Sequence, residues 1–393
     1  MAGRVYNVQM AELISRRKLG LAAVASAALA QTGSAATTYG GALDGLENKV
    51  NLPEYDPVAW TLARYKSAPL RLTFHASTAS ETEDWQHQFR TKLTELVGGF
   101  PEERSALGPQ TLEVREYPGY RREKLVFESR PGVGVLAYLL TPKGKAAPYP
   151  TVVCVPGHGR GVDDIVGIDE HGNDRTDKAG YQRDFAIQVV EHGLAALAIE
   201  PMAFGCRRDA RTSQRGLNST ACQPAAGSAL LFGETMIGWR VWDIMRAIDY
   251  IETRPNLDAK RAGVMGISGG GTCALFSAAL DQRIQFSYVS CYLNTFRDSI
   301  MSLSHCIDNY IPGILNWAEQ YDVAGLIAPR YLFSEAGDHD PIFPVHASRE
   351  SFARVKKVYE VLDAPDRCAQ EVFSGVHEFH GGQGFPFMVR ALA

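Results

Sequence analysis

The first strongly periodic segment of the chain lies at about residues 81–97, where Trp85, Phe89, Leu93 and Leu96 recur at helical spacing. Gly98, Gly99 and Pro101 then stop the pattern, so one amphipathic helix is expected ahead of the main domain. Three short alternating or apolar runs follow at 112–117, 124–129 and 135–140, separated by Pro118-Gly119 and Pro131-Gly132. Runs of this kind between turn dipeptides predict antiparallel strands. After residue 150 the texture changes. Apolar runs at 151–155, 195–200, 262–267, 286–290, 330–334 and 370–373 alternate with helical patterns over 182–191, 234–252, 270–280, 317–324 and 347–362. Strands apolar on both faces, each followed by a helix, predict a mostly parallel sheet covered on both sides, an α/β fold.

Two pieces break that rhythm, at about 205–233 and 292–316. Long irregular insertions in a compact domain are usually lids or binding loops, and both follow strand carboxyl ends, where open α/β sheets hold ligands. Before the helix, Ser15-Arg16-Arg17-Lys18-Leu19 leads into an Ala/Leu-rich run ending at Ala30. This resembles a bacterial twin-arginine signal, with small residues at Ala28, Ala30, Ser34 and Ala36 as cleavage points; the alternative is a basic, frayed terminus. The run is too short to span a bilayer well, so periplasmic or secreted location without a stable membrane span is expected. The partition read from the chain is 1–36 signal, 37–110 helical extension and 111–393 catalytic domain.

Hydrophobic residues make up 45% of the 393 residues, enough for a large core. The net charge of -4, with no block of Lys or Arg, argues against nucleic acid as a partner. Composition is silent on oligomeric state. Of the seven cysteines, Cys154, Cys273 and Cys291 sit in apolar or small-residue runs and are expected in the core. Cys206 and Cys222 bracket a polar segment that a disulfide would close in an oxidising compartment, free thiols being the alternative.

The chemistry concentrates in Gly266-Ile267-Ser268-Gly269-Gly270, set between an apolar strand and a small-residue helix. A serine on such a sharp turn stands its hydroxyl clear of the sheet, and glycines two residues to either side let strand and helix approach. A hydroxyl needs a base, and in this arrangement an acid and then a histidine follow the serine along the chain. Gly337, Asp340 and Pro344 match the Gly-x-x-Asp-x-x-x-Pro spacing of the acid loop in α/β-hydrolases, a resemblance that favours Asp340 over Asp338. His377, in Gly375-Val376-His377-Glu378-Phe379 after the last strand, is the expected base, with His380 as competitor. Backbone donors for an oxyanion are expected at Gly269 and, from the loop Pro156-Gly157-His158-Gly159-Arg160-Gly161, at Arg160 with Gly159 next. His158 is expected to support that loop. The run His377-Glu378-Phe379-His380 is not a His-Glu-x-x-His motif, so no catalytic metal and no cofactor are expected.

Together these residues resemble the α/β-hydrolase superfamily, and within it the acetyl-xylan-esterase-related and dienelactone-hydrolase-like branches, over roughly residues 112–388. Gly233-Glu234, Gly238-Trp239-Arg240-Val241-Trp242-Asp243 and Ala247-Ile248-Asp249-Tyr250 resemble the helix leading into the nucleophile strand of those esterases. Ser268 excludes the branch with a cysteine nucleophile, and Gly269-Gly270-Gly271 stand where glucuronoyl esterases carry Arg and Lys. The resemblance implies a serine carboxylic ester hydrolase working through an acyl-enzyme on short-acyl esters of carbohydrate or plant-derived material. The alternatives are a serine peptidase of the prolyl-oligopeptidase type and a non-catalytic binding protein; the segment before residue 112 is too short for a propeller, and a binding module has no need of all three residues.

Overall fold

The computed structural model describes residues 41–393, and the expected signal segment lies outside them. Residues 41–55 belong to one compact unit and contain two short 3-10 turns, Glu47–Lys49 and Leu52–Tyr55. The second unit, Asp56–Ala393, holds all the elements described below.

It opens with α1 (Pro57–Tyr65) and α2 (Ala79–Leu96). Thr78 starts α2 with a capping box: its hydroxyl accepts the N–H of Glu81 at 3.2 Å, and Glu81 Oε2 accepts the N–H of Thr78 at 3.1 Å. Of the apolar stripe read from the sequence, Trp85, Phe89 and Leu93 are buried in the larger core and Leu96 packs half-buried against it, with Val97 buried beside it. Trp85 Nε1 donates to the carbonyl of Leu72 at 2.7 Å, so its one polar atom is satisfied there. The helix expected to stand ahead of the catalytic domain is packed into the same compact unit.

A nine-stranded sheet runs in the order β1-β2-β3-β5-β4-β6-β7-β8-β9. The strands are β1 (Gln110–Glu116), β2 (Tyr120–Arg130), β3 (Val133–Pro142), β4 (Tyr149–Val155), β5 (Ala195–Ile199), β6 (Leu257–Ile267), β7 (Phe286–Ser290), β8 (Tyr331–Gly337) and β9 (Cys368–Phe373). β1 to β3 pair antiparallel, as does β3 with β5, and every pairing from β5 through β4 to β9 is parallel. Alternate side chains of the central strands feed two cores. Val153, Val155, Leu197, Val264 and Val289 join one, and Val152, Cys154, Ala198, Met265 and Tyr288 the other.

The crossover helices are α3 (Phe185–Glu191), α4 (Cys222–Leu231), α5 (Met236–Thr253), α6 (Gly269–Leu280), α7 (Gln320–Gly325) and α8 (Val345–Val361), and α9 (Gly384–Leu392) closes the chain. Helix α4 forms inside the first insertion, and α9 lies beyond the predicted elements. Phe385, Phe387, Met388 and Leu392 bury α9 in the second core. Its first residue, Gly384, approaches Tyr288 so closely that an added Cβ would sit 2.1 Å from the phenol oxygen. No helix among the described residues is long and apolar enough to cross a membrane.

Candidate active site

Ser268 joins β6 to α6 with φ 56° and ψ -120°, a conformation that costs about 1–3 kcal/mol and persists only where its surroundings enforce it. They do. A Cβ on Gly266 would lie 2.3 Å from Gly270 O, one on Gly270 2.0 Å from Val155 O, and one on Gly271 2.8 Å from Tyr292 Cβ. The Ser268 N–H donates to Ser290 O at 3.0 Å, tying the turn to β7.

The acid loop follows β8. Asp340 is 7% exposed; its Oδ1 accepts the N–H groups of Ile342 at 2.8 Å and Phe343 at 3.0 Å, and its Oδ2 lies 2.7 Å from His377 Nδ1. Asp338 instead meets His339 Nδ1 at 2.5 Å and the Gly375 N–H at 3.0 Å, which makes it a clasp between the acid loop and the histidine loop. His377 lies between rings, with Phe343 at 5.6 Å and Tyr181 at 5.9 Å between centroids. His380 is turned away: it stacks on Phe373 at 4.6 Å and places Nε2 3.5 Å from Glu371. The segment after His377 is pinned by buried Glu335, which accepts the N–H groups of His380 and Gly381, each at 3.0 Å. Sequence reading missed Glu335, whose signal was a carboxylate inside an otherwise apolar strand.

The loop after β4 comes up beside the elbow, because β4 and β6 are hydrogen-bonded neighbours with Val155 opposite Gly266. A Cβ on Gly157 would lie 3.2 Å from Ser268 Cβ and 2.3 Å from the Tyr181 hydroxyl oxygen, so the loop, the serine and the Tyr181 that stacks on His377 share one space. The Gly157 N–H donates to Gln182 Oε1 at 2.8 Å, and Tyr181 donates its hydroxyl to His158 O at 2.7 Å. The Arg160 N–H, expected to serve an oxyanion, donates to Asp164 Oδ2 at 2.8 Å; a Cβ on Gly159 would run into that same oxygen at 2.4 Å. The Arg160 guanidinium is likewise engaged, by Asp164 at 2.6 Å and by Ile168 O at 2.7 Å. Glu200, 3% exposed, accepts the Val162 N–H at 3.1 Å and is packed against the backbone of both Gly161 and Gly205. Burial first and Asp163 second push its carboxyl up to about 8.

Beyond this loop, His158 Nε2 lies 3.3 Å from Asp308 Oδ2, which also accepts Arg240 Nη1 at 2.6 Å. Burial disfavours the charged imidazole, but the Asp308 carboxylate outweighs it and pushes His158 up to about 10. Cys222 is buried against this group, whereas Cys206 is exposed, and both are free thiols. The expected Cys206–Cys222 closure is therefore not formed, because Cys222 starts α4 with its sulfur turned inward toward Asp308 at 3.3 Å. Two groups of metal-capable side chains converge among the described residues: His158, Cys222, Cys306 and Asp308, and Cys291, Asp340 and His377.

A family model described as "Abhydrolase family" matches residues 62–374. The hydrolase YtaP of Bacillus subtilis (strain 168), a provisional assignment, is 27% identical over 299 residues, 74% of this chain and 93% of that protein. Among solved structures, a Bacteroides fragilis protein assigned as an acetyl xylan esterase superposes with a TM-score of 0.68 at 20% identity, over 81% of this chain and 82% of that one. A glucuronoyl esterase from Solibacter usitatus gives a TM-score of 0.61 at 16% identity, over 82% of this chain and 97% of that one. The nine-stranded, mostly parallel sheet, the strained serine turn between β6 and α6 and the matched residues place this chain in the abhydrolase family, with the α/β-hydrolase fold.

Proposed function

We propose that the protein is a serine carboxylic ester hydrolase, with Ser268 as nucleophile, His377 as general base and Asp340 as the carboxylate that orients it. The 2.7 Å contact between Asp340 Oδ2 and His377 Nδ1 carries this reading, since it leaves Nε2 as the ring nitrogen free to take a proton. His377 takes the hydroxyl proton as Ser268 attacks the ester carbonyl, then returns it to the leaving alcohol. Water repeats the sequence on the acyl-enzyme. Asp340 keeps its charge throughout and stabilises the imidazolium. The developing oxyanion is held by the N–H of Gly269 and by one from the loop that Gly157 brings beside Ser268 Cβ, that of Gly159 or its neighbour His158; the Arg160 N–H is already bonded to Asp164.

The neighbouring fold named for acetyl xylan supports short-acyl esters of carbohydrate or plant-derived material as the substrate class. The arginine pair and apolar run before Ala30 support export through a twin-arginine-type route. The test compares p-nitrophenyl acetate with longer acyl chains, using wild type and Ser268→Ala. The reading expects acetate to be preferred and the variant to lose at least about 10³ in kcat/KM. Equal residual activity in both proteins would remove Ser268 from the mechanism.

A further inference from the structure

Cys222 and Cys306 have no part in ester hydrolysis, yet they stand against the loop that serves it. Cys222 is the first residue of α4 in the first insertion, and Cys306 precedes the turn Ile307–Asn309 in the second. Their sulfurs, with His158 and Asp308, lie within 4.8 Å of one another. Cys222 Sγ is 3.7 Å from His158 Nε2, 3.5 Å from Arg240 Nη2 and 3.3 Å from Asp308 Oδ2. Two cationic side chains and a helix N-terminus thus face one buried sulfur against a single carboxylate, Asp308, a balance of charge that favours a thiolate. Soft ligands in such a group also suit a divalent metal. Here, however, the Arg240 guanidinium already sits 2.6 Å from Asp308 Oδ2 and against the Cys222 sulfur, on the atoms a metal would approach. The site carries its own counter-cation. What remains is one activated, buried sulfur with a second, half-buried thiol in reach.

We propose that Cys222 and Cys306 are a hydroperoxide-sensitive dithiol that closes to a disulfide and so retunes the loop carrying His158. The Cys306 hydrogen bond, then His158 and Arg240, outweigh burial and Asp308 and hold the Cys222 thiol well below its ordinary range, consistent with its acting as the attacking sulfur. The thiolate attacks one peroxide oxygen, the O–O bond breaks, and the hydroxide that leaves takes up a proton to become water. Cys306 then gives its proton to the sulfenic hydroxyl as its sulfur displaces a second water. Two thiols are oxidised and one peroxide is reduced to two waters. The disulfide removes the thiolate partner of His158. The His158 ring packs 3.1 Å from where a Cβ on Gly269 would stand, so the change is felt at the backbone donor next to Ser268.

The disulfide stands apart from the proposed ester hydrolysis, and only its effect on turnover rests on that reading. Reduced full-length protein is treated with hydrogen peroxide, denatured, alkylated and digested for mass analysis. The expected result is a peptide pair joined through Cys222 and Cys306, lighter by two hydrogens and released by dithiothreitol. In Cys306→Ala, the sulfenic acid at Cys222 is trapped by a 1,3-dione. Turnover of p-nitrophenyl acetate falls about fivefold on linkage, the weight of one hydrogen bond, and returns on reduction. Full alkylation of both thiols after peroxide, linkage of Cys222 to Cys206, or one equivalent of zinc protecting both thiols in the untreated protein each overturns the proposal. Linkage with unchanged turnover overturns the coupling to the loop. The thiol readout decides the wild type even if Cys306→Ala does not fold or no ester is hydrolysed.

Discussion

Asp340 divides its carboxylate between two tasks: Oδ2 meets His377 Nδ1 at 2.7 Å, while Oδ1 holds the loop's own N–H groups at Ile342 and Phe343. Asp340→Asn can keep the second task and lose the first, leaving the wrong tautomer on His377. The expected outcome is a fall in kcat of about 10⁴ with a wild-type unfolding midpoint. Asp338→Asn keeps Oδ1 for His339 and Gly375, gives up only the charge, and keeps kcat near wild type. A larger loss in Asp338→Asn than in Asp340→Asn would reassign the acid.

Arg240 and Asp308 are 3% and 2% exposed and joined at 2.6 Å. Removing Arg240 leaves the buried Asp308 carboxylate with His158 as its remaining cationic partner, at the longer distance of 3.3 Å. Arg240→Leu is expected to cost about 3–5 kcal/mol in urea unfolding, and Arg240→Leu with Asp308→Leu to recover most of that. Equal losses in the single and double variants would show that the pair does not act as a unit.

Gly270 and Gly269 separate packing from chemistry at the elbow. A Cβ on Gly270 meets the backbone oxygen of Val155 at 2.0 Å, so Gly270→Ala is expected to lose about 3 kcal/mol or fail to fold. At Gly269 the closest atom is His158 Nδ1 at 3.1 Å, on a ring that can turn, and Gly269→Ala is expected to cost less than about 1 kcal/mol. Thermal unfolding of the two variants ranks them; the reverse order would refute this account of the turn.

Glu200 gives a pH signature. With its carboxyl raised from an ordinary 4.5 to about 8, the fold holds the neutral acid. The associated stability is complete below the ordinary value, is lost as pH rises toward about 8, and is flat beyond it. Glu200→Gln mimics the neutral form. The midpoint of wild type is therefore expected to fall relative to Glu200→Gln between pH 5 and pH 8, and the gap to stay constant above that. Parallel pH curves would show that Glu200 is charged in the folded state.

The parallel sheet was legible because its strands are apolar on both faces and its helices keep one period. Phe286–Ser290 is both the predicted and the observed extent of β7. Ser268, Asp340 and His377 stood out as candidates because glycine and proline mark the turns that carry them, and Asp340 and His377 do meet at 2.7 Å. Other features were hidden because they depend on contacts distant in sequence. Arg160 looked like a donor until Asp164 took its N–H. Cys222 looked like a partner for nearby Cys206, yet its sulfur faces His158 and Asp308 on other segments. Helix α9 was missed because a short aromatic segment shows too few turns to establish a period.

The strand order has a further consequence. β4 and β6, which carry the oxyanion loop and the elbow, are adjacent at the centre of the sheet, and β5 and β7, which lead into the two insertions, flank them on either side. The frame of the candidate site is thus bracketed by the two strands from which the insertions leave. A change of length or shape in either insertion leaves the hydrogen-bonded ladder between β4 and β6 in place, since neither insertion contributes a strand to it.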